Sequence, residues 1–404
     1  MNGQMKRLSA SSTHWSRRMG ARSQHAGALL SINLGAIQEN YRILRQRSGR
    51  AQCAAVLKAD AYGLGADRVA PALSAAGCTQ FFVAHLDEAL ALRPHLPEAA
   101  QIYVLHGPPV GAEMEFVHNR LTPVLNSAAQ IAGWRRVAAN LNRSVRGILQ
   151  VDTGMSRLGL DATEVKELLA DPDSLRGIEL QYLMSHLACA EQTGHPMNRL
   201  QLSAFTALRK EFPACPASFA NSSGIFLGPE YQFDLVRPGA ALYGIAPVFG
   251  AANPMMPVVR LQGRIIQTRH IEAGAGVGYG MSYHAREPRT IATVAIGYAD
   301  GWLRAFSNRG SVIIGDTAAP IVGKVSMDTC TVDVTGLSPA LLQPGALVDF
   351  IGPRQPVDTV AAQADTIAYE ILTSLGHRYH RQYIGAPVQM ANISAYLPVK
   401  ELSI

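Results

Sequence analysis

The sequence predicts an α/β protein of two parts: an N-terminal parallel barrel of eight strand–helix units, (β/α)8, followed by a mostly β C-terminal domain. Three observations carry this. At 404 residues the chain is too long for one ordinary core. Strand-like apolar runs alternate with helical periodicity from residue 28 to about 245. After Pro247 the texture changes to stretches rich in Val, Ile and Thr, punctuated by Gly and Pro. Alternation also suits an open, doubly wound sheet, so the pattern alone does not establish closure. The expected parts are a tail over 1–26, a barrel over 27–250 and a β-rich domain over 251–404, with Asn253-Pro254 at the hinge.

The elements follow in order. An apolar run over 28–34 precedes a helical pattern through Ile37, Tyr41, Ile43 and Leu44. The run 53–57 stops abruptly at Lys58, and a helix over 66–76 follows. The next pairs are 81–83 with 87–96, 102–105 with 112–119, and 122–125 with 128–141. Strand 145–151 precedes helix 162–169, and 179–185 precedes 200–212. Strand 217–220 leads into 222–227, and 233–236 ends the series. In the second part, strands are expected over 258–271, 290–296, 311–315, 321–334 and 348–351, interrupted by one helix over 358–375.

Composition narrows the class. Hydrophobic residues at 48% and charged residues at 16% exclude a disordered chain. The formal charge of +6 is uneven: residues 1–26 carry five basic groups and no acid, leaving 31 basic against 30 acidic residues elsewhere. The body therefore has no nucleic-acid face, and the basicity belongs to a tail read as disordered. No apolar run is long enough to span a membrane as a helix. The five cysteines are scattered, without metal-ligand spacing, which points to a reducing cytoplasm and no metal.

The stretch over 54–65, AAVLKADAYGLG, organises the chemistry. Residues at the carboxyl ends of barrel strands face the active site. A lysine there, with apolar walls behind it, loses its proton more easily than a solvated one. An uncharged amine is what a Schiff base with an aldehyde cofactor requires. Read alone, Lys58 is better explained as an ordinary surface charge where a strand meets water, since surface lysines are the rule.

The surrounding blocks settle the choice by resemblance. AAVLKADAYGLG resembles the lysine motif of alanine racemases. VDTGMSRLG (151–159), MSHLACAE (184–191), FANSSG (219–224) and LVRPGAALYG (235–244) follow in that family's order. GVGYGMSY (276–283), IGYADGWLR (296–304), VGKVSMD (322–328) and TIAYE (366–370) complete the series. The resemblance spans the chain from about residue 28 almost to its end. It implies a TIM-like barrel followed by a β domain, the cofactor pyridoxal 5′-phosphate, and L-alanine/D-alanine interconversion supplying peptidoglycan precursors in the cytoplasm.

The resemblance also distributes roles. Lys58 would carry the cofactor, and its amine would serve as one catalytic base. Tyr62, Ser222, Tyr369 and the backbone N–H groups of Gly239 and Ala240 would hold the phosphate, where small residues admit the main chain and hydroxyls donate. Arg237 would lie against the pyridine nitrogen; an arginine keeps its protons, so that nitrogen stays neutral. Inverting a stereocentre with two bases needs a second proton carrier on the opposite face. Tyr279, in a glycine-bracketed loop, is that candidate, coupled through His186 towards Arg237. The family takes this tyrosine from a neighbouring subunit, which implies a head-to-tail homodimer. Arg157 and the backbone N–H of Met327 would receive the substrate carboxylate, Tyr298 and Tyr369 would narrow the entrance, and Arg304 would sit farther out.

One departure matters. Many members carry a lysine two residues before the DTGM aspartate, modified to a carbamate that braces the carboxylate-binding arginine. Here the position is Gln150, which cannot be carbamylated. A racemase of broader range, acting on serine or basic amino acids, is therefore the alternative. A non-catalytic pyridoxal-phosphate carrier would lack the second domain and Tyr279. A decarboxylase of related fold would present an acid at the ring nitrogen, where this chain has Arg237.

Overall fold

The structure, a computed structural model, describes residues 21–212 and 214–385. After β1 (Ala28–Asn33), the chain runs through β2 (Gln52–Cys53), β3 (Ala55–Val56), β4 (Gln80–Val83) and β5 (Gln101–Val104). β6 (Leu121–Leu125), β7 (Val145–Gln150), β8 (Ile178–Met184), β9 (Ala217–Asn221) and β10 (Leu235–Arg237) follow. From β2 to β10 every pairing is parallel. β2 and β3 are halves of one stretch that stand at opposite ends of the strand order: β2 pairs with β10, β3 with β4. The sheet therefore closes on itself, with the amides of Ala54 and Val56 donating to Val236 O and Pro238 O on one side and that of Leu57 to Phe82 O on the other. β4 and β6 are buried throughout, as expected of strands covered by helices outside and filled by side chains inside.

The second sheet is mixed. It contains β11 (Val259–Ile271), β14 (Arg289–Val294), β15 (Ser311–Ile314), β16 (Thr317–Pro320), β17 (Cys330–Asp333), β18 (Leu347–Ile351) and β19 (His380–Ile384), with the hairpin β12 (Gly276–Val277) and β13 (Tyr283–His284) standing apart.

The strand expected over 321–334 is a strand only at β17, with residues 322–329 forming a loop. Three other expectations change. The first strand is not a barrel strand: β1 lies between β11 and β19, antiparallel to the former and parallel to the latter. Its six residues are all buried, so its apolar run would suit either sheet. Its partners lie more than 200 residues away, where no local pattern reaches. Removing it leaves eight barrel strands. Second, the helix expected over 358–375 is two helices, Val357–Gln363 and Ala368–Ser374, because Asp365 adopts a left-handed φ of 56° and breaks the spiral. Third, the last residues of the tail, Ala21–His25, form a short helix, and Arg264 donates to Ser23 O and Ala26 O there. The tail over 1–20 and the end of the β-rich part over 386–404 lie outside the described residues.

The parts meet at the barrel mouth. Gly63, at φ 80°, packs so closely on helix Ala368–Ser374 that a Cβ would lie 2.6 Å from the Leu372 carbonyl oxygen. This contact brings Tyr369 over the carboxyl ends of the barrel strands.

Candidate active site

A cavity of about 550 Å³ opens at those strand ends. Lys58, Tyr62, Arg157, His186, Ser222, Arg237, Gly239, Ala240 and Tyr369 all line it. Eight of these come from the barrel; Tyr369 comes from the second domain.

Lys58 follows β3 after one intervening residue, Leu57, and is half-buried. Burial, reinforced by the Arg157 charge, lowers its pKa from the ordinary lysine value, while the Glu88 carboxylate opposes the shift. The amine is thus easier to deprotonate than a solvated lysine.

Arg237, at the end of β10, is 4% exposed. Its Nη1 donates to Ser218 Oγ at 2.5 Å and its Nη2 to Ser185 O at 2.7 Å. Nη2 also lies 3.4 Å from His186 Nδ1. Because a guanidinium only donates, Nδ1 must accept, which leaves the imidazole proton on Nε2. Burial, then the charges of Arg237, Arg157 and Lys58, push the His186 pKa well below its usual value, so the ring stays neutral. Burial lowers the guanidinium to about 9, which leaves it a cation at neutral pH.

Another part of the cavity lining is a set of donors. Ser222 Oγ accepts from the amides of Gly239 at 2.9 Å and Ala241 at 3.2 Å, which leaves its own proton free for a ligand. The Ala240 amide opens a 3-10 turn and has no acceptor among the described residues. Gly239 is required by proximity: a Cβ there would lie 2.4 Å from the Tyr62 hydroxyl. Tyr62 is buried against Tyr243, with ring centroids 4.7 Å apart, and faces Tyr369 at 6.1 Å.

Arg157 stands on the loop after β7, exposed and without an ion pair among the described residues. Asp152 organises this loop by accepting from the amides of Gly154, Met155 and Ser156. Gln150 is buried and donates to Leu158 O at 3.1 Å, so its amide serves the loop backbone.

The structure does not bring Tyr279 and Met327 into this cavity. Tyr279 is 71% exposed, Met327 52% and Tyr298 43%. They lie on neighbouring loops of the second domain: Gly278 packs on Lys324, and the amides of Tyr298 and Ala299 donate to Ser326 O and Met327 O. Among the described residues no cluster of His, Cys, Asp or Glu could hold a metal, and no helix is long and apolar enough to cross a membrane. Sequence reasoning missed Ser185 and Ser218, which seat Arg237, and Glu88, which accepts from the amide after Lys58 at 2.6 Å. The capping-box spacing of Glu88 was readable; its reach to Ala59 was not.

The donor set fits pyridoxal 5′-phosphate. A Cβ-free cradle, hydroxyls and an unpaired amide suit a phosphate, a lysine of lowered pKa suits the aldehyde, and a buried cation, Arg237, lines the same cavity.

Comparison with known proteins supports the same chemistry. The family described as alanine racemase, N-terminal domain, matches residues 32–247, and alanine racemase, C-terminal domain, matches residues 258–383. The catabolic alanine racemase of Mesorhizobium japonicum is 52% identical over 360 residues, covering 89% of this chain and 94% of the relative. The alanine racemase of Rhodospirillum rubrum is 50% identical over 361 residues, covering 89% and 96%. The crystal structure of alanine racemase from Bartonella henselae with covalently bound pyridoxal phosphate superposes with a TM-score of 0.86 at 46% identity, covering 89% of this chain and all of that one.

Proposed function

The chain belongs to the alanine racemase family, and from that premise we propose how its residues divide the work of a pyridoxal-phosphate-dependent interconversion of L- and D-alanine. Lys58 holds the cofactor covalently. Ser222, Tyr62, Tyr369 and the amides of Gly239 and Ala240 hold its phosphate, and Arg237 its ring nitrogen. The observation that carries this reading is the placement of a half-buried lysine of lowered pKa in the same cavity as that donor set. Bound there, the cofactor supplies a conjugated ring that withdraws electrons from the substrate α-carbon and acidifies its C–H bond.

The remaining work falls to the chain. Arg157 takes the substrate carboxylate in a two-pronged contact, with the Met327 amide completing it. The Lys58 amine, freed when the substrate's amine takes its place, exchanges a proton with the α-carbon on the D-isomer side. The Tyr279 phenol exchanges one on the L-isomer side. A phenol titrates near pH 10 in water, so Tyr279 needs positive charge close by to act as a base. His186, neutral and bonded to Arg237, relays that charge towards the substrate. Arg237 remains protonated, so it would leave a ring nitrogen held against it neutral and temper the electron withdrawal the cofactor would supply.

Because Tyr279 and Met327 lie outside this chain's own cavity, the site is complete only in a head-to-tail homodimer. Two inactive variants test this. Lys58→Ala and Tyr279→Phe, mixed and allowed to exchange subunits, should recover about one quarter of wild-type racemisation, since half the dimers then carry one intact site. No recovery despite demonstrated exchange refutes the shared site.

A second reading has its own support. Arg157 lacks an anionic partner and Gln150 is committed to the Leu158 carbonyl, so the carboxylate site is less tightly braced than a carbamate would make it. A range extending beyond alanine follows, and racemisation across a panel of amino acids decides it. A cytoplasmic enzyme supplying D-alanine for peptidoglycan is the biological role we favour; the catabolic role named for the Mesorhizobium japonicum relative is the alternative.

A further inference from the structure

Directly after Lys58 the backbone adopts a conformation that L-residues avoid. Ala59, Asp60, Ala61 and Tyr62 have φ of 53° to 56° and ψ of 39° to 51°, one turn of left-handed helix, and Gly63 follows at φ 80°. L-residues are disfavoured there, and left-handed residues ordinarily occur singly. Four in succession persist only where the surroundings impose them.

Two clamps do so. From the second domain, Arg381 Nη1 donates to Gly63 O at 2.6 Å and the Tyr383 hydroxyl to Leu64 O at 3.0 Å. From the barrel, Glu88 Oε1 accepts from the Ala59 amide at 2.6 Å, while Oε2 accepts from the amides of Ala84 at 2.7 Å and His85 at 3.0 Å. The Oε2 bonds belong to the cap of helix Leu86–Leu92. The Oε1 bond does not: it crosses from the first turn of that helix to the first amide beyond Lys58. Glu88 has no cationic partner among the described ion pairs.

We propose that Glu88 is a positioning residue for racemisation: its carboxylate pins the left-handed turn that aims Lys58 into the cavity, and it supplies the negative charge that faces the Lys58 ammonium whenever that group holds the substrate's proton. The proposal rests on the reading of Lys58 as the cofactor-bearing base. It assigns the two oxygens different duties. Oε2 caps a helix, and Oε1 serves the lysine. Glutamine keeps the shape but loses the charge, and its NH2 group must face a backbone donor.

The test uses Glu88→Gln and Glu88→Asp in the full chain. In cofactor-free protein, Lys58 is modified by formaldehyde and borohydride across pH and followed by peptide mass. Loss of the opposing anion should make the free amine about tenfold more abundant at neutral pH in Glu88→Gln. With cofactor loaded, kcat for alanine should fall at least tenfold with little change in KM. Glu88→Asp, which retains the charge, should restore the Lys58 titration. An unchanged titration in folded Glu88→Gln overturns the proposal. So does a loss of activity shared equally by both variants and explained by loss of thermal stability, since that is the behaviour of a cap alone. Lys58→Ala run alongside separates the two readings. Covalent cofactor retained there refutes the assignment of Lys58 and with it the role of Glu88. Covalent cofactor lost there, with an unaltered Glu88→Gln titration, refutes the role of Glu88 only.

Discussion

Gly239→Ala probes the phosphate end of the site at a single contact. A Cβ at this position would lie 2.4 Å from the Tyr62 hydroxyl, 3.1 Å from its Cζ and 3.3 Å from Val56 Cβ. The first distance is about 1 Å short of ordinary contact. Left-handed strain plays no part, since the φ of Gly239 is −125°. Tyr62 cannot retreat sideways, because it is buried against Tyr243. Its hydroxyl must instead tilt away from residue 239, losing its place beside Ser222 and the Gly239 amide. A hydrogen bond to a charged group is worth about 1.5–3 kcal/mol. Losing one such bond to the phosphate should weaken cofactor binding by about 10- to 150-fold. Absorbance titration of cofactor-free protein with pyridoxal 5′-phosphate measures this, and thermal unfolding of the cofactor-free form controls for damage to the fold. An unchanged dissociation constant would mean that the phosphate is held elsewhere. A destabilisation equal in the free and loaded forms would mean that the contact serves packing alone.

Lys58→Ala should abolish the absorption band of the covalently held cofactor and racemisation with it; a persisting band contradicts the assignment. Tyr279→Phe should leave cofactor loading intact and slow racemisation by about 10²–10⁴-fold, the usual worth of a positioned proton carrier; normal turnover refutes the two-base scheme. The lowered pKa of Lys58 means that its free-amine form, the one able to take the cofactor, accumulates at lower pH than in a solvated lysine. The rate of cofactor uptake should therefore rise with pH and level off below the ordinary lysine value; a rise that continues to pH 10.5 contradicts this. Arg157→Lys should raise KM for alanine by about tenfold while sparing cofactor binding, because a point charge replaces a fork; an unchanged KM places the carboxylate elsewhere.

Much of the site was legible because its signals are local. Lys58 stands where an apolar run ends, and Ser222, Gly239 and Ala240 stand in short motifs of small residues beside strand ends. Local chemistry made these positions candidates, but a surface charge or a helix cap explained them at least as well in isolation, and their roles came from the resemblance carried by the order of the motifs along the chain. Glu88 shows the limit. Its helix-capping role follows from sequence spacing, yet its bond to Ala59 depends on a left-handed turn 29 residues away. Nothing in KADAYG announces that turn, because every residue in it except the final glycine prefers another conformation.

By itself, the sequence determined the alternation of strand and helix, the change to β texture after Pro247, and the presence of a lysine at a strand end among donors suited to an anion. Tertiary structure alone decided that β1 leaves the barrel for the second sheet, that the close packing of helix Ala368–Ser374 on Gly63 roofs the cavity, and that Glu88 reaches the Ala59 amide. The physical reason is the range of the interactions. Periodicity reports which face of an element avoids water, whereas pairing partners such as Ala28 and Gly263 are chosen by the free energy of the whole closed arrangement.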